Sequence, residues 1–342
     1  MRTSKYEIFI GRQLEVNIYD ALGTLLIAKG SVLLRSHLEK LEKFKIRTEE
    51  IKSAEAPAKN RNIQLEDMVK RAEKHLQGID SCVAQNGTVP MAEVEENLLP
   101  MVQEAAQKHN LFQLLNELKE HGDYRYRQCI GTAVVATALG RRLRLGEAEL
   151  KLLATASSLY DIGSLKLPSY LVNKASKLDI HETAIMRQHP RLGYELLKQS
   201  GVDERVALVA LQHHEREDGS GYPNGLKGDQ IDPLSKIVAL ADVYIAMISE
   251  RPYRPAVAFF EVMDEIHQQT VQGMFDSATA LTFLDSLLTS QIGCDVLLSD
   301  GRQGKIMLTN VNYPTKPLVA LRGDEFINLS TSTGVAIQEI IG

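Results

Sequence analysis

Cysteine is scarce and unpaired in this chain: Cys82, Cys129 and Cys294 lie far apart, with no CxxC spacing. That excludes a disulfide framework and a cysteine-based zinc site, and it points to reduced thiols in a cytoplasmic setting. No apolar run approaches the roughly 18 residues that a membrane-spanning helix needs. The opening MRTSKYEIFIGRQLEV also lacks the apolar core of a signal peptide. The expectation is a cytoplasmic protein without a membrane partner. Positive charge is not in excess either. A net charge of −5 argues against a nucleic-acid duplex as partner, while a local basic pocket stays compatible with it. No internal repeat or low-complexity tract interrupts the 342 residues.

What is present suits ordinary globular structure: 44% hydrophobic and 24% charged residues, in a chain long enough for two or three domains. Residues 1–55 read as a mixed β/α module. Short apolar stretches punctuated by Asp20, Gly23 and Gly30 predict strands and hairpin turns, and 36–45 predicts a helix with Leu38, Leu41 and Phe44 on one face. Residues 62–122 form a helical connector, broken or kinked at Pro90 and Pro100, with His75, His109 and His121 on solvated faces. Such helices offer a pairing surface suited to a homodimer. Residues 123–288 predict a helical domain, with helices over 128–143, 149–160, 206–215 and 237–248. Within it, Asp179 and Glu182 make a capping box, the helix they start ends before Pro190, and Gly163 reads as a C′ glycine. Residues 289–342 return to strands, with a hairpin turn at Asp300-Gly301. The strands at the two ends are each too short to bury a sheet face, which predicts that they associate into one β-rich unit. The fold class is therefore mainly α with a small β-rich unit built from both termini.

Within the helical domain several residues are out of keeping with their surroundings. Asp161 falls in the last turn of a helix, where a carboxylate is disfavoured unless a cation compensates it. Asp242 interrupts a strongly apolar helix, and a buried carboxylate must be paired, hydrogen-bonded or metal-bound. His189, His213 and His214 sit at helix ends, where neutral imidazoles make good ligands for a divalent transition metal. A glycine-rich turn follows the His pair at once, and Gly219 and Gly221 admit backbone conformations that other residues resist. Pro223 is expected to hold Tyr222 extended. Taken singly, each of these fits a satisfied core or surface residue; taken together they favour a metal centre.

The string HHEREDGSGYPNGLKG, from His213 onward, resembles the signature of the HD-GYP family of cyclic di-GMP phosphodiesterases. YDIGSLKLP (160–168) is similar to that family's HDxGKxxIP segment, HPRLGYELL to its HPxxGxxIL, and ADVYIAMISERPYR (241–254) to its ADxxDAxxxxRPYR. DYRYRQCIG aligns with the segment that normally holds the first metal histidine. The resemblance implies an HD-type helical bundle over the core, and two metal sites. One is held by the first histidine, the HD pair and a late aspartate; the other shares the HD aspartate and takes three downstream histidines.

The chain departs from this pattern at four positions. Gln128 replaces the first histidine, Tyr160 the H of HD, Ser164 the lysine that meets substrate phosphate, and Ile245 the second aspartate of the ADxxDA segment. By the resemblance, Asp161, His189, His213 and His214 retain one full ligand set, while the other keeps only Asp161 and Asp242. The expectation is about one divalent ion per chain, with iron, manganese and zinc all suited to three nitrogens and a carboxylate. Asp161 is the catalytic residue if the chain is active. Gly221, Tyr222, Pro223, Arg216, Lys227, Arg251 and Arg254 would hold cyclic di-GMP, a related cyclic dinucleotide, or another signalling protein at the GYP loop. Three readings follow: a regulatory module that binds without efficient cleavage, a working phosphodiesterase with an altered centre, and a purely structural partner.

Overall fold

The computed structural model describes residues 5–9, 12–20, 25–27, 29, 31, 33, 35–55, 63–108, 123–172, 174, 176–249, 257–321, 323 and 325–341. The chain divides into two compact units: Met1–Arg61 together with Leu288–Gly342, and Asn62–Leu287. The predicted positions Gly23, Gly30, His109, His121, Arg251 and Arg254 lie outside the described residues.

The first unit joins the two ends of the chain. Strand β1 (Arg12–Leu14) pairs antiparallel with β4 (Ser53–Glu55), and β2 (Ile18–Tyr19) with β3 (Leu25–Ile27). Helix α1 (Arg35–Lys43) buries Leu38 and Leu41 in a cluster with Tyr6, Ile27 and Ile51. Phe44 does not share that face. The helix has ended, Lys45 takes a positive φ of 54°, and the Phe44 ring is left 42% exposed. The C-terminal strands β5 (Asp295–Leu298), β6 (Gln303–Leu308), β7 (Leu318–Leu321), β8 (Phe326–Asn328) and β9 (Ile337–Ile340) form an antiparallel sheet in the order β8-β7-β6-β5-β9. The β5–β6 hairpin turns at Asp300-Gly301, with Gly301 at φ 85°. Among the described residues the N-terminal strands pair with one another, and a contact of 3.1 Å between His37 Nε2 and Glu339 Oε1 links α1 to β9.

The second unit is helical. Helix α2 (Ile63–Asn86) ends before Pro90, and after a short turn the chain runs through a wide π turn (Val94–Leu98) into α3 (Leu99–Lys108). Pro100 therefore does not break the helix, because the wide turn just before it accommodates the missing N–H and the bulky ring. His75 is not a free surface residue: its Nδ1 meets Glu93 Oε1 at 2.5 Å. Helix α4 (Tyr124–Arg142) starts earlier than its apolar periodicity implies, since the Asp123 carboxylate accepts from Arg125 N at 2.8 Å and caps it. Its buried run from Ile130 to Gly140 makes it the central element, packed against α3, α5 (Glu147–Leu159) and α9 (Pro233–Ile248).

Three short helices follow α5: α6 (Ile180–Met186), α7 (His189–Gln199) and α8 (Glu204–Gln212), of which α7 packs on α8, and α8 on α5 and α9. Asp179 and Glu182 form the capping box of α6, with both reciprocal bonds at 2.8 Å. Arg205 ties α8 to its neighbours, donating to Asp232 Oδ2 at 2.8 Å and to Glu149 Oε1 at 2.5 Å. Beyond α9, helices α10 (Phe259–Val271) and α11 (Ser277–Thr289) follow, and the Tyr244 and Phe283 rings meet edge-on at 5.0 Å.

Gly163 has a different role from the left-handed cap its position implies. It lies in a 3-10 turn (Ile162–Lys166) without positive φ. A Cβ there would sit 2.0 Å from the carbonyl oxygen of His189 and 2.4 Å from the nitrogen of Gly193. Only a glycine lets the end of α5 meet the start of α7 this closely, so the residue fixes Asp161 beside His189. Gly163→Ala should lower stability by at least ~1–3 kcal/mol through overpacking. Urea denaturation measures this, and an unchanged midpoint would show that the backbone contact is dispensable.

Candidate metal and ligand site

Three imidazoles converge from two helix ends. His189 opens α7, His213 follows the last residue of α8 as its C-cap, and His214 comes next. Nitrogens of the three rings lie within 4.8 Å of one another. His189 Nδ1 lies 2.7 Å from the carbonyl of Met186, and His213 Nδ1 lies 2.9 Å from that of Ala210. A carbonyl can only accept, so both Nδ1 atoms carry the proton and both Nε2 atoms present lone pairs. These two Nε2 atoms face each other at 3.1 Å. Two lone pairs with no proton between them repel, and a shared cation relieves that repulsion. Burial, reinforced by the neighbouring imidazoles, holds the pKa of His213 and of His214 well below the ordinary value. Both rings are neutral and available as donors. Asp161 Oδ1 stands 3.5 Å from His189 Nε2. Burial raises its pKa and Asp242 adds to the effect, while His189 and Arg125 oppose it. The residues present therefore suit one divalent cation.

Asp242 is handled differently. Its Oδ1 accepts from Gln128 Nε2 at 2.7 Å and from the Tyr160 hydroxyl at 2.6 Å, and Gln128 Nε2 also reaches the Asp242 carbonyl at 2.9 Å. Gln128 Oε1 in turn accepts from the Tyr124 hydroxyl at 3.1 Å. Burial, and then the Asp242 carboxylate, push the Tyr160 phenol well above its usual pKa, so it remains a proton donor. This half-buried carboxylate is thus engaged by protein donors. Ile245 lies against Gly131 of α4 and extends the apolar packing beneath the cluster.

The loop after the histidines is held from within. The buried Glu215 carboxylate accepts from Asn224 N at 2.7 Å through Oε1 and from Leu226 N at 2.9 Å through Oε2. Sequence reasoning passed over this residue, although its place inside a glycine-rich turn, where backbone N–H groups need acceptors, was a usable signal. A Cβ on Gly221 would come within 2.5 Å of Arg216 N, Glu215 Cα and His214 O. Tyr222 stacks on the His214 ring at 4.6 Å with 23° between planes, and the Tyr222–Pro223 peptide is cis rather than simply extended. Arg216 is turned inward: it donates to the carbonyl of Glu215 at 2.8 Å and its guanidinium lies 5.3 Å from the Phe275 ring centre. Lys227 runs across Gly219, where φ is 83°.

One cleft of about 550 Å³ gathers Gln128, Tyr160, Asp161, Ser164, His189, His213, His214, Tyr222 and Asp242 on its walls. Arg216, Gly221, Pro223, Lys227 and Ile245 are not among its lining residues. Lys174 and Arg125 also line it, and neither was foreseen. Replacing Glu215 by alanine removes the acceptor of two loop N–H groups, at ~0.5–1.5 kcal/mol each. Amide exchange at Asn224 and Leu226 should quicken in Glu215→Ala; protection equal to that of the parent would contradict this account of the loop.

Comparisons with known proteins agree with this arrangement. A family profile described as an HD domain matches residues 93–279. The cyclic di-GMP phosphodiesterase response regulator RpfG of Xanthomonas campestris is 45% identical over 126 residues, 36% of this chain and 33% of that protein. The cyclic di-GMP phosphodiesterase PA4108 of Pseudomonas aeruginosa is 33% identical over 194 residues, 56% of this chain and 46% of that protein. The matches thus span less than half the length of these relatives. In structure, Bd1817, an HDG"Y"P protein from Bdellovibrio bacteriovorus, superposes over 84% of this chain and 98% of its own with a TM-score of 0.51 at 17% identity, a likeness of fold. No helix among the described residues is long and apolar enough to cross a membrane. By its profile match and its GYP string, the chain belongs to the HD-domain family, in the HD-GYP group.

Proposed function

We propose that this chain is a degenerate HD-GYP module, with 123–288 as its HD-GYP domain, that holds one divalent metal ion, binds a cyclic dinucleotide, and cleaves it weakly or not at all. The observation that carries the reading is the bonding of Asp242. Its Oδ1 is engaged by Gln128 and Tyr160, two positions where the family has metal histidines. A carboxylate already satisfied by two donors has little to offer an ion, and the amide nitrogen and phenol turned towards it are donors rather than ligands. Asp161, His189, His213 and His214 remain as a ligand set of three neutral nitrogens and one carboxylate, compatible with iron, manganese or zinc.

A bound ion would supply Lewis-acid polarisation of a phosphate oxygen and acidify a coordinated water. Asp161 orients that set, while Gln128 and Tyr160 keep Asp242 fixed and away from it. Ser164 presents a short neutral hydroxyl where the family presents a lysine, which removes about 2–4 kcal/mol of charge stabilisation, by analogy with a lost oxyanion donor. Together with the loss of a second ion this favours binding over turnover. The relatives named above are cyclic di-GMP phosphodiesterases, which supports a cyclic dinucleotide as the ligand class. The pairing surface of α2 and α3 suits a homodimer, and the GYP loop suits a second signalling protein.

Elemental analysis of protein purified without chelators should find about one ion per chain, and His213→Ala or His214→Ala should deplete it. Two or more tightly held equivalents would sink the one-ion reading. Cyclic di-GMP hydrolysis by the parent chain should be slow or absent. Gln128→His, Tyr160→His and Ser164→Lys made together should raise turnover, since ligands of one centre act as a unit. Asp161→Asn in that triple variant should abolish the gain. Robust metal-dependent turnover by the parent would favour the working enzyme instead.

A further inference from the structure

The cleft needs a cation for a phosphodiester, and most of its nearby cations are engaged. Lys174 Nζ meets both carboxylate oxygens of Glu182, at 2.5 and 2.6 Å. Arg125 is paired with Asp80. Arg216 is half-buried and directed at loop carbonyls. Ser164 has no charge to give. Arg187 is in a different situation. It is the C-cap of α6, exposed, and its guanidinium lies 4.8 Å from the centre of the Tyr222 ring. Among the described residues no carboxylate pairs with it.

Tyr222 has His214 stacked on it at 4.6 Å, nearly parallel. With Arg187 4.8 Å from the same ring centre, the three groups meet in a column of successive contacts, His214–Tyr222–Arg187. This column starts at a candidate metal ligand, passes through Tyr222 of the cleft wall, and ends at Arg187, which is not itself a lining residue but follows the lining residue Met186 in the chain. Cation–π contact with Tyr222 does not consume the guanidinium N–H groups, and a planar guanidinium recognises a phosphate in bidentate fashion.

We propose that Arg187 is a ligand-binding residue that grips a phosphodiester group of the bound cyclic dinucleotide, in the role left open by Ser164. The proposal rests on the cyclic-dinucleotide reading above, and Arg187 acts there as a binding residue, not as a metal ligand.

The test is calorimetric titration of the metal-loaded full chain with cyclic di-GMP. Arg187→Ala should weaken binding ~10- to 100-fold, the scale of one charge-assisted pair, with metal content and melting temperature unchanged. Arg187→Lys should bind more weakly than the parent as well, because a lysine keeps the charge but not the planar fork. Lys198→Ala, which removes a surface cation paired with Glu204, should bind as the parent does. If the parent binds and Arg187→Ala binds equally well, the assignment of Arg187 is overturned while the wider reading stands. If Arg187→Ala loses its metal in step with its affinity, the residue is a prop for the column and the assignment is likewise overturned. If the parent chain does not bind cyclic di-GMP at all, both the reading and the assignment fall.

Discussion

A negative charge inside an apolar helix is the constraint on which the rest of this centre depends. Asp242 lies half-buried in the otherwise largely apolar α9, on the wall of the cleft, where a carboxylate needs hydrogen-bond donors to offset its partial loss of water. Gln128 from α4 and Tyr160 from the end of α5 supply the compensation, both as hydrogen-bond donors to one oxygen. The three residues come from three different helices. Their bonding therefore also sets how α4, α5 and α9 lie against one another around the cleft. A neutral amide and a neutral phenol are the donors that meet this carboxylate.

The histidine side of the cleft obeys another rule. Neutral imidazoles can crowd together only if something fixes which nitrogen is protonated. The backbone carbonyls of Met186 and Ala210 do so, aiming two Nε2 lone pairs at a common point. Gly163 allows α7 to approach close enough for Asp161 Oδ1 to stand 3.5 Å from His189 Nε2. Glu215 and Gly221 then hold the following loop so that Tyr222 lies flat on His214. Packing, backbone acceptors and a buried carboxylate thus converge on one half of the centre. The other half is closed by hydrogen bonds.

Much of the architecture is legible in the residues because it rests on local chemistry. The capping box at Asp179 and Glu182, the hairpin at Asp300-Gly301 and the helical periodicity of the core depend on neighbours a few positions away. Features that depend on distant partners are not legible in this way. His75 reads as a solvated residue until Glu93 is brought beside it. Gly163 reads as a helix terminator, although its glycine is required by a backbone contact with His189. Phe44 continues an apolar pattern, but the helix turns away before the ring can be buried.

By itself the sequence determined the family, the mainly helical core with strands at both ends, and part of the set of residues that gather at the cleft. It also marked Gln128, Tyr160 and Ser164 as departures, since residue types and their spacing are fully present in one dimension. What it could not determine is how those departures are used. Only the tertiary structure decided that Gln128 and Tyr160 turn their donors onto Asp242, that Arg216 faces inward, and that Arg187 lies over Tyr222. The physical reason is directional: a hydrogen bond or a ring stack depends on angles and distances of a few ångströms between helices far apart in the chain, and no local pattern encodes them.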